Sequence, residues 1–127
     1  MMSETFLRGR KILAVEDEML VAMMLQDILE DAGCTVVSAG HLKQALHLAQ
    51  SMDIDGAVLD ENLNGERSYP VADTLIARGI PFVFATGYGE ADLGKLYPGR
   101  RILAKPYLET DLLAALSAAI STPPDVR

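Results

Sequence analysis

Two hydrophobic rhythms alternate along this chain. Short apolar runs at Lys11–Val15 (KILAV), Thr35–Ala39 (TVVSA), Gly56–Asp60 (GAVLD), 80–85 (IPFVFA) and Arg101–Ala104 (RILA) are separated by longer stretches with helical spacing. The runs have strand length, and the third carries no polar alternation, which predicts burial on both faces. The spacing predicts a first helix over 18–32, with Leu20, Val21, Met24, Leu25, Ile28 and Ala32 on its inner face. Gln26, Asp27, Glu30 and Asp31 form the outer face, and Gly33 ends the helix. Further helices are predicted over 41–52, 68–78 and 109–120. Ser68 is placed to cap the third, with Pro70 tolerated in its first turn. The last buries Leu112, Leu113, Leu116 and Ile120, and Glu109 and Asp111 complement its dipole. Strict alternation with right-handed crossovers gives an α/β fold, a doubly wound five-stranded parallel sheet with helices on both faces. Such a sheet places its site beyond the carboxyl ends of its strands.

The weakest element lies between the fourth and fifth strands. Its helix candidate, 90–97, has Gly94 inside it and Pro98 directly after it. A helix that short is marginal in water, and an interior glycine costs about 1 kcal/mol relative to alanine. This fourth helix is therefore expected to be short or disordered before any activating event.

Composition narrows the setting. At 127 residues the chain is one domain's worth: a core of about 10–120 and a flexible tail at 121–127. No output domain is expected. The longest apolar runs fall far short of a membrane span, and the charged N-terminus lacks a signal-peptide pattern. The single Cys34 excludes an internal disulfide and fits a reducing compartment, so a cytoplasmic location is expected. A net charge of −7 repels nucleic acid and anionic membranes, but suits a cation or a basic partner.

The strand ends carry the chemistry. After the first strand come Glu16, Asp17 and Glu18; the third ends in Asp60; Thr86 follows the fourth; Lys105 and Pro106 follow the fifth. The acids after strand one could simply open a helix. Taken together, however, these carboxylates, a hydroxyl and an ammonium converge on one sheet edge. Two carboxylates about 4 Å apart repel by roughly 4 kcal/mol at an effective dielectric of 20, so the cluster calls for a cation. An all-oxygen donor set suits Mg²⁺. A carboxylate beside it can attack phosphorus, and Thr86 and Lys105 can hold the phosphoryl oxygens.

These residues resemble response-regulator receiver domains of the CheY-like, flavodoxin-like kind over roughly residues 10–120. The resemblance is carried by ILAVEDE, VLDENLNG, FATGY and LAKPY, in that order at the ends of strands one, three, four and five. It implies that Asp60 is the phosphoacceptor and that Asp17 is a direct Mg²⁺ ligand. Glu16 would act mostly through water and Asn62 through its carbonyl, and Mn²⁺ is expected to substitute for Mg²⁺. It implies further that Thr86 and Lys105 sense the phosphate. The longer string PFVFATGY resembles a stand-alone alphaproteobacterial subgroup that works with HWE-type histidine kinases. Two features depart from the family: Ile102 stands where a switch aromatic is usual, and the stretch from Thr86 to Lys105 is short and glycine-rich. Tyr88, two residues past Thr86, is the expected lid.

Other side chains carry less. His41 and His47 are six residues apart, do not share a helix face and are expected at the surface, while Cys34 is expected to be buried. Met19, Ala22 and Met23 form an apolar strip on an acidic helix beside the expected site, and suit docking of kinase helices. The protein is expected to be a monomer. An enzyme using a dinucleotide would need a glycine-rich turn where VEDE stands, and a haloacid-dehalogenase-like phosphatase an Asp pair two residues apart, where Glu16 and Glu18 stand. The alternative to a phosphorylation switch is an interaction module that keeps the fold but works without phosphate. The complete set of Asp17, Asp60, Thr86 and Lys105 argues against that alternative.

Overall fold

The computed structural model describes residues 6–87 and 91–121. Strands β1 (Lys11–Val15), β2 (Thr35–Ala39), β3 (Gly56–Asp60), β6 (Phe82–Thr86) and β7 (Arg101–Ala104) form one parallel sheet in the order β2-β1-β3-β6-β7. Between them run α1 (Met19–Asp31), α2 (Leu42–Ser51), α3 (Tyr69–Ala77), α4 (Ala91–Leu96) and α5 (Glu109–Ser121). The doubly wound α/β sheet expected from the alternation is present.

Strand parity divides the core. Leu13, Val15, Ala57, Leu59, Phe82 and Phe84 face one layer, which holds Ala45, Ala49, Val71, Leu75, Leu93 and Tyr97. Ile12, Ala14, Val58 and Val83 face the other, built on Leu25, Leu29, Leu112 and Leu116. Successive residues of a strand point to opposite faces, so β1, β3 and β6, covered on both sides, are apolar except for Lys11, Asp60 and Thr86 at their ends. Gly56 brings β3 close to α5, because a Cβ there would lie 3.1 Å from Ile120 Cδ1.

Two local expectations are corrected, and one element is new. Leu20 and Met24 are 75% and 62% exposed, so they do not belong to the inner face of α1. Its buried residues are Leu25 and Leu29. The helix begins directly after the acidic segment at the sheet edge, and its first turns stand beside the site rather than over the sheet. Ser68 occupies the N-cap position of α3, but its hydroxyl makes no capping bond. With φ −83° and ψ 13° the residue is not extended, and it is the Ser68 carbonyl that receives the amides of Val71 and Ala72. A two-stranded hairpin, β4 (Asn62–Leu63) with β5 (Glu66–Arg67), was not anticipated. Asn64 and Gly65 form its turn with φ of 53° and 89°, the left-handed pair that Asn-Gly favours.

The fourth helix is short, as expected, at six residues. Leu93 is fully buried and Tyr97 nearly so, which ties the segment to the core. Gly94 is exposed, and a Cβ there would meet nothing within 4 Å. Replacing Gly94 with Ala should therefore stabilise α4 by about 1 kcal/mol. Amide exchange at residues 92–97 should slow by several-fold in that variant; unchanged or faster exchange would contradict this.

Candidate phosphoryl-acceptor and metal site

The register of the sheet assembles the site. Val15 lies beside Leu59 and Asp60 beside Ala85, so Glu16 and Asp17 emerge next to Asp60. Thr86 pairs with Ala104, and Lys105 follows at the same edge, its amide bonded to the Thr86 carbonyl. The Lys105–Pro106 peptide is cis. A cleft of about 420 Å³ opens here, lined by Glu16, Asp17, Asp60, Asn62, Gly87 and Lys105 among others.

Carboxylate oxygens of Glu16, Asp17 and Asp60 lie within 4.8 Å of one another. Glu16 and Asp60 are buried and Asp17 is half-buried. The Lys105 ammonium bridges the two buried acids, 2.9 Å from Glu16 Oε1 and 3.0 Å from Asp60 Oδ2. Backbone donors hold the remaining oxygens. The Asn62 amide donates to Asp60 Oδ1 at 3.3 Å, and the Glu18 amide to Glu16 Oε2 at 3.2 Å. The hairpin turn presents the Asn64 amide to Asp17 Oδ2 at 2.9 Å, while the Gly65 amide donates to Asn62 Oδ1 at 2.7 Å.

Three acids against one lysine leave an excess of negative charge. Burial pushes the Asp60 carboxyl up to about 7, and the Glu16 charge adds to this while Lys105 opposes it. Burial alone would lower Lys105, but its bonds to Glu16 and Asp60 outweigh that and raise it above the usual lysine range. The donor set is hard oxygen throughout, clustered and short of positive charge. It fits a small divalent cation such as Mg²⁺.

Thr86 is buried on the other side of Asp60, and its hydroxyl donates to Glu61 Oε1 at 2.7 Å. Glu61 was not singled out in the sequence. Parity places it, because Asp60 pairs with Ala85 and the following residues, Glu61 and Thr86, share a face. That face is the one covered by α3 and α4. There Glu61 Oε2 accepts the Tyr69 hydroxyl at 2.7 Å and lies 3.4 Å from Arg67 Nη1. Tyr69 packs against Phe84 and Tyr97, with ring centroids 6.4 and 5.6 Å away, and the Tyr97 hydroxyl donates to Asp73 at 2.8 Å. Ile102 is half-buried and packed against the same layer. Tyr88, the expected lid, lies outside the described residues.

Met19 and Met23 are 76% and 56% exposed, and Ala22 is half-buried. With Leu20 and Met24 they make a broader apolar patch than the expected strip. Beside it, Val21, Met24, Leu25 and Ile28 face Pro106 and Tyr107 across a groove of about 400 Å³ that Lys105 also lines. His41 and His47 are exposed and Cys34 is buried, as expected. No helix among the described residues is long and apolar enough to cross a membrane.

Sheet order, the acidic edge and the opposed lysine define a receiver architecture, and comparison with known proteins agrees. Residues 12–117 match the response regulator receiver domain, and the chain belongs to that family. It is 44% identical to SdrG from Sphingomonas melonis Fr1, whose solution structure superposes with a TM-score of 0.76 over 87% of this chain and 95% of that one. A response regulator from Burkholderia pseudomallei, solved with a phosphorylated aspartic acid, a calcium ion and citrate, is 25% identical. It superposes with a TM-score of 0.73 over 89% of this chain and 69% of that one. The transcriptional regulatory protein PdtaR of Mycobacterium tuberculosis (strain CDC 1551 / Oshkosh) is 28% identical over 88% of this chain. The chain spans 57% of PdtaR's length. Receiver domains are phosphorylation switches of two-component signalling, partnered by sensor histidine kinases, rather than conventional enzymes.

Proposed function

We propose that this chain is a phosphoacceptor response regulator that takes a phosphoryl group from an HWE-type histidine kinase onto Asp60. The observation that carries the reading is the Asp60 carboxylate at the floor of an acidic cleft, with Lys105 3.0 Å away. The phosphorylated aspartic acid of the Burkholderia relative and the PFVFATGY string support it.

Asp17, Glu16, Asp60 and the Asn62 carbonyl would hold Mg²⁺, with Mn²⁺ as a substitute. Bound there, the cation would offset negative charge on the incoming phosphoryl oxygens. An Asp60 oxygen attacks phosphorus; the bond from phosphorus to the kinase histidine nitrogen breaks, and its electron pair leaves with the imidazole. Lys105 keeps Asp60 oriented beforehand and then pairs with a phosphoryl oxygen. The Thr86 hydroxyl would turn toward the same group. Glu16 fixes Lys105 from the far side, so the ammonium stays in the cleft. The output is an interaction with another protein, or the draining of phosphate from a kinase.

The kinase's paired helices would dock on Met19, Ala22 and Met23, extended by Leu20 and Met24, with the groove beside Lys105 continuing that surface. Incubation with a histidine-phosphorylated HWE-type kinase should move the label to this chain within the kinase's working time. Met23→Glu should slow that transfer by about tenfold or more, the effect of burying one unpaired charge at an apolar contact. Equal transfer rates for Met23→Glu and wild type would reject the docking surface. Transfer to residues other than Asp60 would reject the function.

A further inference from the structure

Thr86 sits beside the phosphorylation site, yet its hydroxyl donates to Glu61 Oε1 at 2.7 Å, on the face of the sheet covered by α3 and α4. A hydroxyl has one proton to give, so binding a phosphoryl oxygen on Asp60 requires Thr86 to leave Glu61. We infer that Glu61 is a positioning residue that holds Thr86 in the resting state and competes with the phosphoryl group for it. The inference rests on the phosphorylation reading above.

The surroundings of Glu61 make this exchange reversible. Glu61 is 5% exposed, so an oxygen left without partners would be costly. Its other oxygen is held independently by the Tyr69 hydroxyl and faces Arg67. Both of these partners are on Oε2, so the charge stays compensated after Thr86 departs, while Oε1 loses its hydrogen bond; that cost is what makes Glu61 compete for Thr86. A phosphoryl group on the adjacent Asp60 carries about −1.5 to −2 charges in place of the single charge of the carboxylate. Repulsion between that group and Glu61 then disfavours the resting pair, while Oε2 stays tied to Tyr69 and Arg67. Tyr69 packs at a tilt against Tyr97, directly after α4, and Tyr97 is tied to α3 through Asp73. Release of Thr86 is thereby felt at α4 without an aromatic at position 102, where Ile102 stands. The pair Glu61 and Tyr69 takes over the link between threonine and surface that such an aromatic would provide.

The test is a double-mutant cycle read by beryllofluoride binding in Mg²⁺, with amide exchange at residues 92–97 as a second signal. Glu61→Ala should bind beryllofluoride about tenfold tighter than wild type, equivalent to about 1.4 kcal/mol. Glu61→Gln, which keeps the shape and an acceptor but loses the charge, should fall between them and decides the matter alone if the alanine variant does not fold. In a Thr86→Ala background the same Glu61 substitutions should change affinity less than twofold, because the competition has been removed. Exchange at residues 92–97 should change in Glu61→Ala before any beryllofluoride is added. Equal effects in both backgrounds, or no effect of the Glu61 substitutions while Thr86 is intact, would overturn the inference alone. Failure of the wild type to bind beryllofluoride would overturn the phosphorylation reading and this inference with it.

Discussion

Asp60→Asn should abolish phosphorylation by acetyl phosphate or by a kinase while the protein stays folded. The carboxamide has the shape of the carboxylate and can still accept from Lys105, but it lacks an anionic oxygen to attack phosphorus. Asp60 is buried at the end of a strand whose five residues are all buried, so an isosteric change leaves the packing intact. The change also removes one of three mutually repelling acids, which favours the folded state. Full loss of the mass gain with an unchanged or higher melting temperature is expected. Labelling equal to wild type would remove Asp60 from its role.

The second large effect concerns the metal. Asp17→Ala should weaken Mg²⁺ binding by more than about 100-fold, and Glu16→Gln by only about 10-fold, the range typical of a partner outside the ligand shell. The structure supports the difference. Asp17 is half-buried, engaged by the Asn64 amide alone among the described contacts and facing the cleft. Glu16 is already committed to Lys105 and to the Glu18 amide. Titration followed by a metal-sensitive probe should rank the variants in that order. Equal losses would show that the two acids share the same role.

The energetics of the switch change once Glu61 is in view. Two charge-assisted bonds, from Thr86 and Lys105, contribute about 1.5–3 kcal/mol each, against about 5.5 kcal/mol for a swing from 1:99 to 99:1. Both donors already have carboxylate partners at rest, Thr86 with Glu61 and Lys105 with Glu16 and Asp60. Phosphorylation therefore exchanges partners rather than adding bonds, and the net drive is smaller than the gross sum. A partial shift centred on the short α4 fits that drive better than a full rearrangement.

The parallel sheet, the strand positions and the acidic edge were legible because each depends on a local pattern. Apolar runs of strand length ended in Asp60, Thr86 and Lys105, and parallel pairing brings strand ends together whatever the details. Side-chain direction was less legible. Leu20 and Met24 fit the helical period, but periodicity says nothing about where the helix meets the sheet, and both proved exposed. The hairpin had a clear signal in Asn64-Gly65, but its flanking strands are two residues long, too short to show alternation. Glu61 was hidden by its neighbour. An acid following the phosphoacceptor reads as part of the same cluster, whereas strand parity turns it to the opposite face beside Thr86. Tyr69, Arg67 and Tyr97 join it only through tertiary packing, which no spacing rule in the sequence could have revealed.

Intact mass reads out whether this chain accepts a phosphoryl group on one carboxylate with the help of a divalent cation. The wild-type protein is incubated with acetyl phosphate in Mg²⁺, with a parallel sample in a chelator. A gain of a single phosphoryl group is expected in Mg²⁺ and none in the chelator, with the modified residue mapping to Asp60. No gain in Mg²⁺, or an equal gain in the chelator, would contradict this expectation.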